Sequence, residues 1–97
     1  MNQMKKLTDS NYDAFIKDGE KIILYTAGYC GICKTAAEEI SQHFPQSGSV
    51  LLTDPQCVAI RTKINISKVP TLIIFRNGKE IKRAEGTTAL FNYIDQA

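Results

Sequence analysis

The chain has 97 residues, enough for one domain with a single hydrophobic core. Hydrophobic residues make up 43% of it and charged residues 23%, which is typical of a folded globular protein and excludes a disordered one. Twelve Lys and Arg against ten Asp and Glu leave a net charge of only +2. Because the two signs are interleaved along the chain, we expect no nucleic-acid partner.

The start of the chain carries charge but no long apolar run. Lys5 and Lys6 lead into the mostly polar segment 7–10, so the sequence predicts no signal peptide. No later apolar stretch is long enough to span a membrane. We therefore expect a cytoplasmic protein without a membrane partner, monomeric by default, with a single domain over residues 1–97. In a reducing compartment a close cysteine pair indicates catalysis or metal binding rather than a structural disulfide.

Helical and strand patterns alternate over the first half of the chain. Asp9 or Ser10 is suited to cap a first helix, which Gly19 would end. The segment 21–26 then contains the continuous apolar run 22–25, which has the length and character of a strand. From residues 30–43 the apolar side chains recur at steps of three and four, which predicts a second helix.

The second half of the chain predicts two further strands that pair as a hairpin. Asn77-Gly78 separates them and favours a type I′ turn, in which both central residues need positive φ. The remaining elements are a buried strand over 49–53, a short helix over 54–64, strands over 71–75 and 79–84, and a last helix that Thr87 would cap.

The order of these elements predicts an α/β fold. Helical crossovers between the early strands require those strands to be parallel, whereas the closing hairpin is antiparallel. We therefore expect a central mixed sheet of four to five strands with helices on both faces. The extra strand would be a short edge strand around residues 5–7.

A Cys-x-x-Cys pair, Cys30-Gly31-Ile32-Cys33, lies where a buried strand gives way to a helix. Free N–H groups and the positive dipole end in the first helical turn would stabilise a thiolate on Cys30. Cys33 lies on the same face one turn deeper and can attack a mixed disulfide formed at Cys30. In this context the pair predicts redox chemistry.

Two other interpretations of the cysteines remain open. A closed zinc site needs about four ligands, and the other candidates, His43 and Cys57, are not at a usual spacing from Cys33; we therefore expect no metal. His43 comes near the end of its predicted helix, where a positive charge is favourable. Cys57 is either a packing residue or a regulatory thiol. The cysteine pair could also be inert and purely structural.

Four stretches, taken together, are specific in order and spacing. They are residues 22–25 leading into 29–34, Val69-Pro70-Thr71, residues 75–79, and Gly86 before the last helix. On these residues the chain resembles the thioredoxin family, from residue 11 to 97. Glutaredoxins share the Cys-x-x-Cys and Val-Pro pairs but usually place the former nearer the start. The resemblance implies a thioredoxin-like fold and a thiol–disulfide oxidoreductase.

The resemblance also implies roles for individual residues. Cys30 would be the attacking thiolate and Cys33 the resolving thiol. Pro70 would be a cis-proline that faces the disulfide and turns the backbone of Val69 outward, where a substrate strand could pair with it. Gly86 would line the far side of the substrate groove.

The residues next to the cysteines complete the predicted substrate-binding surface: Tyr29, Gly31 and Ile32. No bound cofactor is required, because the redox-active disulfide itself carries the electrons. The resemblance implies disulfide-bearing protein substrates and an upstream disulfide reductase that uses NADPH. An alternative function is a redox-sensing binding module that oxidises without turning over substrate.

Three departures from the family pattern concern the cysteine pair. Tyr29 stands where thioredoxins usually have Trp, Ile32 where they have Pro, and Leu24 where they have a buried Asp. The Lys that commonly accompanies that Asp is also absent from residues 50–53, so no unpaired buried charge is expected. We therefore hypothesise that the protein is less strongly reducing than a general thioredoxin.

Overall fold

A computed structural model describes residues 4–96, which form a five-stranded mixed sheet with helices on both faces. Residues 1–3 and 97, which the single-domain prediction includes, lie outside the described residues. In chain order the elements are β1 (Lys5–Lys6), α1 (Tyr12–Lys17), β2 (Glu20–Thr26), α2 (Ile32–His43), β3 (Gly48–Leu51), α3 (Val58–Ile64), β4 (Thr71–Arg76), β5 (Lys79–Glu85) and α4 (Thr87–Asp95). None of these helices is both long and apolar enough to cross a membrane.

The strands lie in the order β1-β3-β2-β4-β5. β3 is parallel to both β1 and β2, whereas β4 is antiparallel to β2 and β5. Asn77 and Gly78 join β4 to β5 with φ angles of 52° and 85°, the conformation that the predicted turn requires. The mixed sheet, its short edge strand and its closing hairpin are therefore confirmed.

Side chains of β2 alternate between two hydrophobic clusters, one on each face of the sheet. Ile23 and Tyr25 pack with residues of α1 and α3, whereas Leu24 packs with residues of α2 and α4. All three are 0% exposed. Because both faces of the strand are buried, its apolar residues occupy consecutive positions rather than alternating with polar ones.

The carboxylate of Asp9 caps a helix other than the predicted one. α1 begins after Asn11 and has no side-chain cap, so the predicted cap by Asp9 or Ser10 is wrong. Asp9 instead accepts hydrogen bonds from the N–H groups of Ala59 and Ile60, both at 3.0 Å, in the first turn of α3. The Asp9 carboxylate thus binds N–H groups that have no partner within α3, although Asp9 and these residues are about fifty positions apart in the chain.

Cys57 is a core residue of the first cluster and is only 1% exposed. Its Sγ donates a weak hydrogen bond to the carbonyl oxygen of Leu7 at 3.5 Å. Burial raises the pKa of the Cys57 thiol, and the nearby charge of Asp54 raises it further. This environment disfavours the thiolate, which supports the packing role over the regulatory one.

Two tyrosine hydroxyls meet inside the same cluster. Tyr12 of α1 and Tyr25 of β2 are 2% and 0% exposed, and their Oη atoms are 2.6 Å apart. Burial raises the pKa of both phenols, so both stay neutral. Within residues 4–96 each hydroxyl has only the other as its hydrogen-bond partner.

The tyrosine pair predicts a non-additive double-mutant cycle. Tyr12→Phe or Tyr25→Phe alone leaves one buried hydroxyl without a partner, so each should lower the free energy of unfolding by about 1–3 kcal/mol. The double variant leaves no orphan hydroxyl and should lose clearly less than the sum of the two. Urea unfolding monitored by circular dichroism measures all four proteins. An additive cycle would show that the pair makes no mutual hydrogen bond.

Burial of Cys57 predicts slow alkylation. In the reduced, folded protein at pH 8, iodoacetamide should label Cys57 much more slowly than in urea, because the buried sulfur is out of reach of the reagent and its raised pKa leaves less thiolate. Mass spectrometry of proteolytic peptides measures the rate at each cysteine. Labelling of Cys57 at equal rates in the two conditions would contradict its assignment as a packing residue.

Candidate active site

Three chain segments converge at one end of the sheet. Tyr25 near the end of β2 pairs with Thr71 at the start of β4, and Thr71 pairs with Glu85 at the end of β5. The residues that follow β2, precede β4 and follow β5 therefore leave the sheet side by side. These segments carry the residues that the sequence predicts for the site.

Cys30 and Cys33 form a disulfide, with their Cα atoms 5.4 Å apart. The two residues differ in exposure, since Cys30 is half-buried whereas Cys33 is only 4% exposed. A turn positions Cys30, whose N–H donates to the carbonyl oxygen of Ala27 at 3.1 Å. Cys30 is therefore the residue of the pair that an incoming molecule can reach.

The cysteines lie at the amino end of α2, which begins at Ile32. The preceding residue, Gly31, offers no side chain, and no side chain caps the helix. The free N–H groups of the first turn and the positive dipole end therefore lie beside the cysteine pair. Such a position stabilises a thiolate and lowers its pKa.

The surface beside the disulfide is apolar and open. Tyr29 is 81% exposed and Ile32 43% exposed, both unusually high for such side chains in a globular protein. Gly31 has ordinary helical angles, and no atom lies within 4 Å of where its Cβ would be. The local packing therefore does not require glycine at this position.

The segment before β4 presents unpaired backbone. The peptide bond between Val69 and Pro70 is cis, Pro70 is buried and Val69 is half-buried. The hydroxyl of Thr71 donates to the carbonyl oxygen of Lys68 at 2.6 Å and closes the turn. Within residues 4–96, neither the N–H nor the C=O of Val69 has a hydrogen-bond partner.

Gly86 links the end of β5 to this segment. Its N–H donates to the carbonyl oxygen of Pro70 at 2.9 Å, and its φ of 90° lies in the region that disfavours side chains. Gly86, not Thr87, precedes α4, so the predicted cap by Thr87 is wrong. The chain turns from strand to helix within one residue here, and only glycine adopts that conformation readily.

Two shallow cavities border Val69. One, of about 250 Å³, lies towards Tyr29 and is also lined by Thr53, Arg61 and Lys68. The other, of about 410 Å³, is lined by Lys68, Val69, Gly86 and their neighbours. Neither Arg61 nor Lys68 is among the site residues predicted from the sequence. Only Lys68 had a signal, its position directly before Val69-Pro70, whereas Arg61 is brought close by the fold.

No charged side chain supports the cysteines from inside. Leu24, at the position of the usual buried Asp, is 0% exposed and packs with Ala36, Ile40 and Leu72. Within residues 4–96 no Asp, Glu, Lys or Arg is buried. Among the same residues, no group of three or more His, Cys, Asp or Glu side chains is arranged to hold a metal ion.

Comparisons with known proteins agree with this geometry. The family model described as thioredoxin matches residues 3–96. A thioredoxin from Staphylococcus haemolyticus is 32% identical over 85 residues, covering 84% of this chain and 82% of that protein. Thioredoxin-1 from Saccharomyces cerevisiae is 31% identical over 83 residues, covering 81% of each.

A solved structure shows the same fold at low sequence identity. Thioredoxin f2 from Chlamydomonas reinhardtii superposes with a TM-score of 0.78 at 17% identity, over 96% of this chain and 94% of that one. The family match, the curated relatives and the disulfide between Cys30 and Cys33 point to the same conclusion. The chain belongs to the thioredoxin family and is a thiol–disulfide oxidoreductase.

Proposed function

We propose that Cys30 is the attacking thiolate and Cys33 the resolving thiol in the reduction of protein disulfides. The observation that carries this assignment is the unequal exposure of the two residues at the open amino end of α2. The reachable sulfur is suited to attack a substrate, and the buried one to attack within the protein.

The proposed reaction has two exchange steps. The thiolate of Cys30 attacks one sulfur of the substrate disulfide, forms a mixed disulfide and releases the other substrate sulfur as a thiolate. Cys33, after losing its proton, attacks the sulfur of Cys30 and releases the second substrate thiol. Two electrons thereby pass from the protein to the substrate, and the Cys30–Cys33 disulfide remains.

We further propose that the substrate pairs with the backbone of Val69 by β-augmentation. Its unpaired N–H and C=O support this assignment, because an extended peptide strand would satisfy both groups. Exposed Tyr29 and Ile32 would supply apolar contacts beside the disulfide. Gly31, Pro70 and Gly86 would border the bound strand: neither glycine extends a side chain into its path, and Pro70 would face the disulfide.

Membership of the thioredoxin family implies a redox-active disulfide without a bound cofactor, disulfide-bearing protein substrates and a reductase partner. We propose that this reductase draws its electrons from NADPH. We also propose that residues 1–97 form a single domain that acts as a monomer in the cytoplasm. We propose neither nucleic acid nor membrane as a partner.

The cysteine roles predict distinct behaviour of two variants. With dithiothreitol as electron donor, the protein should accelerate insulin disulfide reduction, and Cys30→Ser should abolish that acceleration. Cys33→Ser should instead accumulate a mixed disulfide with insulin, visible on a non-reducing gel, because no thiol resolves it.

Cys57→Ala is the matched control and should retain activity. Loss of turnover in that control would contradict the assignment to Cys30 and Cys33. A protein that oxidises but never accelerates insulin reduction would support the alternative of a redox-sensing binding module.

The departures at Leu24 and Ile32 predict a less reducing protein. We expect a reduction potential less negative than the value of about −270 mV for thioredoxin. Ile32 is the first residue of α2, where proline loses no helical hydrogen bond, so Ile32→Pro should stiffen the helix start and move the potential to more negative values. Ile32→Val is the control variant and should leave the reduction potential unchanged.

Equilibration with glutathione buffers at pH 7, followed by quantification of the dithiol, measures the potential. A wild-type value at or below about −270 mV would contradict the hypothesis.

A further inference from the structure

We propose that this site selects disulfide-bearing segments that carry Asp or Glu close to the reacting cysteine. The inference rests on the proposed function and specifies the substrate class of the same site. Its basis is the charge of the groove between Tyr29 and Val69: among the described residues that line this groove, two are cationic and none is a carboxylate.

Arg61 and Lys68 are the two cations of this groove. One guanidinium nitrogen of Arg61 donates to the carbonyl oxygen of Leu52 at 3.3 Å, which positions the group and leaves its other N–H donors free. Within residues 4–96 neither Arg61 nor Lys68 forms an ion pair. Both positive charges are therefore available to a ligand.

Other arginines of the chain are neutralised, which sets this groove apart. Arg76 pairs with Glu20 at 2.9 Å, and Arg83 pairs with Glu80 at 2.8 Å and with Glu85 at 3.2 Å. Among the three arginines, only Arg61 therefore lacks an ion pair within residues 4–96.

One carboxylate, that of Glu85, lines the second cavity together with Lys68. Its oxygens accept hydrogen bonds from Ser67 at 2.9 Å and from Arg83 at 3.2 Å. Arg83 is shared with Glu80, so this network keeps one net negative charge, but within residues 4–96 neither carboxylate forms an ion pair with Lys68. Lys34, which follows the buried cysteine and is exposed, adds a further unpaired cation near the disulfide.

A substrate strand paired with Val69 would pass these cations. Lys68 adjoins Val69 in the chain, and both line the groove with Arg61 and Tyr29. Carboxylates on the strand would meet a guanidinium able to bind them in bidentate fashion and an ammonium group. A strand with Lys or Arg at the same places would meet like charges and be rejected.

The test compares two synthetic peptides with one internal disulfide, identical except for Glu or Lys beside each cysteine. With dithiothreitol as donor and low salt, the protein should reduce the acidic peptide with about tenfold higher kcat/KM. High salt should shrink this preference, because it screens exposed charges. Equal kcat/KM for the two peptides at low salt would overturn the proposal.

Charge reversal locates the effect. Arg61→Glu/Lys68→Glu should invert the preference, and Lys68→Glu alone should reduce it, which guards against misfolding of the double variant. The control variant Lys17→Glu/Lys79→Glu changes the net charge equally. Lys79 is the strand neighbour of Arg76 at the opposite end of the sheet, and Lys17 lies beside Gly78 in the hairpin turn there. This control should keep the preference. If it loses the preference as well, net charge rather than the groove is responsible, and the proposal fails.

A binding measurement separates this proposal from the proposed function. If neither peptide is reduced, the proposed reductase function fails. The charge preference is then measured separately, by NMR titration of the oxidised protein with versions of both peptides in which serine replaces cysteine. Shifts around Arg61 and Lys68 with the acidic version alone support the proposal. Equal shifts with both versions, or shifts with neither, overturn it.

Discussion

Burial of β2 on both faces is the constraint on which the rest of the structure depends. Ile23, Leu24 and Tyr25 are fully buried in succession, so a slip of one residue would exchange the side chains of the two clusters. The register of β2 with β3 and β4 is thereby specified. That register in turn fixes where β2 ends, and with it the point at which the chain leaves the sheet toward Cys30 and Cys33.

The parts of the fold that depend on local pattern could be predicted from the sequence. Apolar periodicity gave the order of helices and strands, Asn77-Gly78 gave the hairpin, and Cys-x-x-Cys at a strand–helix junction gave the site. What could not be predicted depends on contacts distant in the chain. The carboxylate of Asp9 caps α3 because the loop before α1 packs on it, and no local signal brings Arg61 to the groove.

The interior of the sheet also bears on the chemistry of the site. An ion pair replaced on both sides by apolar residues leaves no orphan charge and costs little stability. Leu24 fills its site with no charged neighbour in the cluster, so the fold does not need a buried acid there. In the proposed reaction the Cys33 thiol therefore has no buried carboxylate within the described residues to take its proton. The departures from the family pattern thus concern the rate and the reduction potential of thiol–disulfide exchange rather than the fold.

Recognition at this site has to combine a general contact with a selective one. Backbone pairing at Val69 satisfies any extended strand, because N–H and C=O groups are the same in every sequence. Apolar contact with the exposed Tyr29 and Ile32 discriminates only weakly between substrates, because any apolar side chain can make it. Discrimination must therefore come from charged side chains that border the strand. In the proposed binding mode Arg61 and Lys68, which form no ion pair within the described residues, border the strand, and their positive charge would favour acidic substrates.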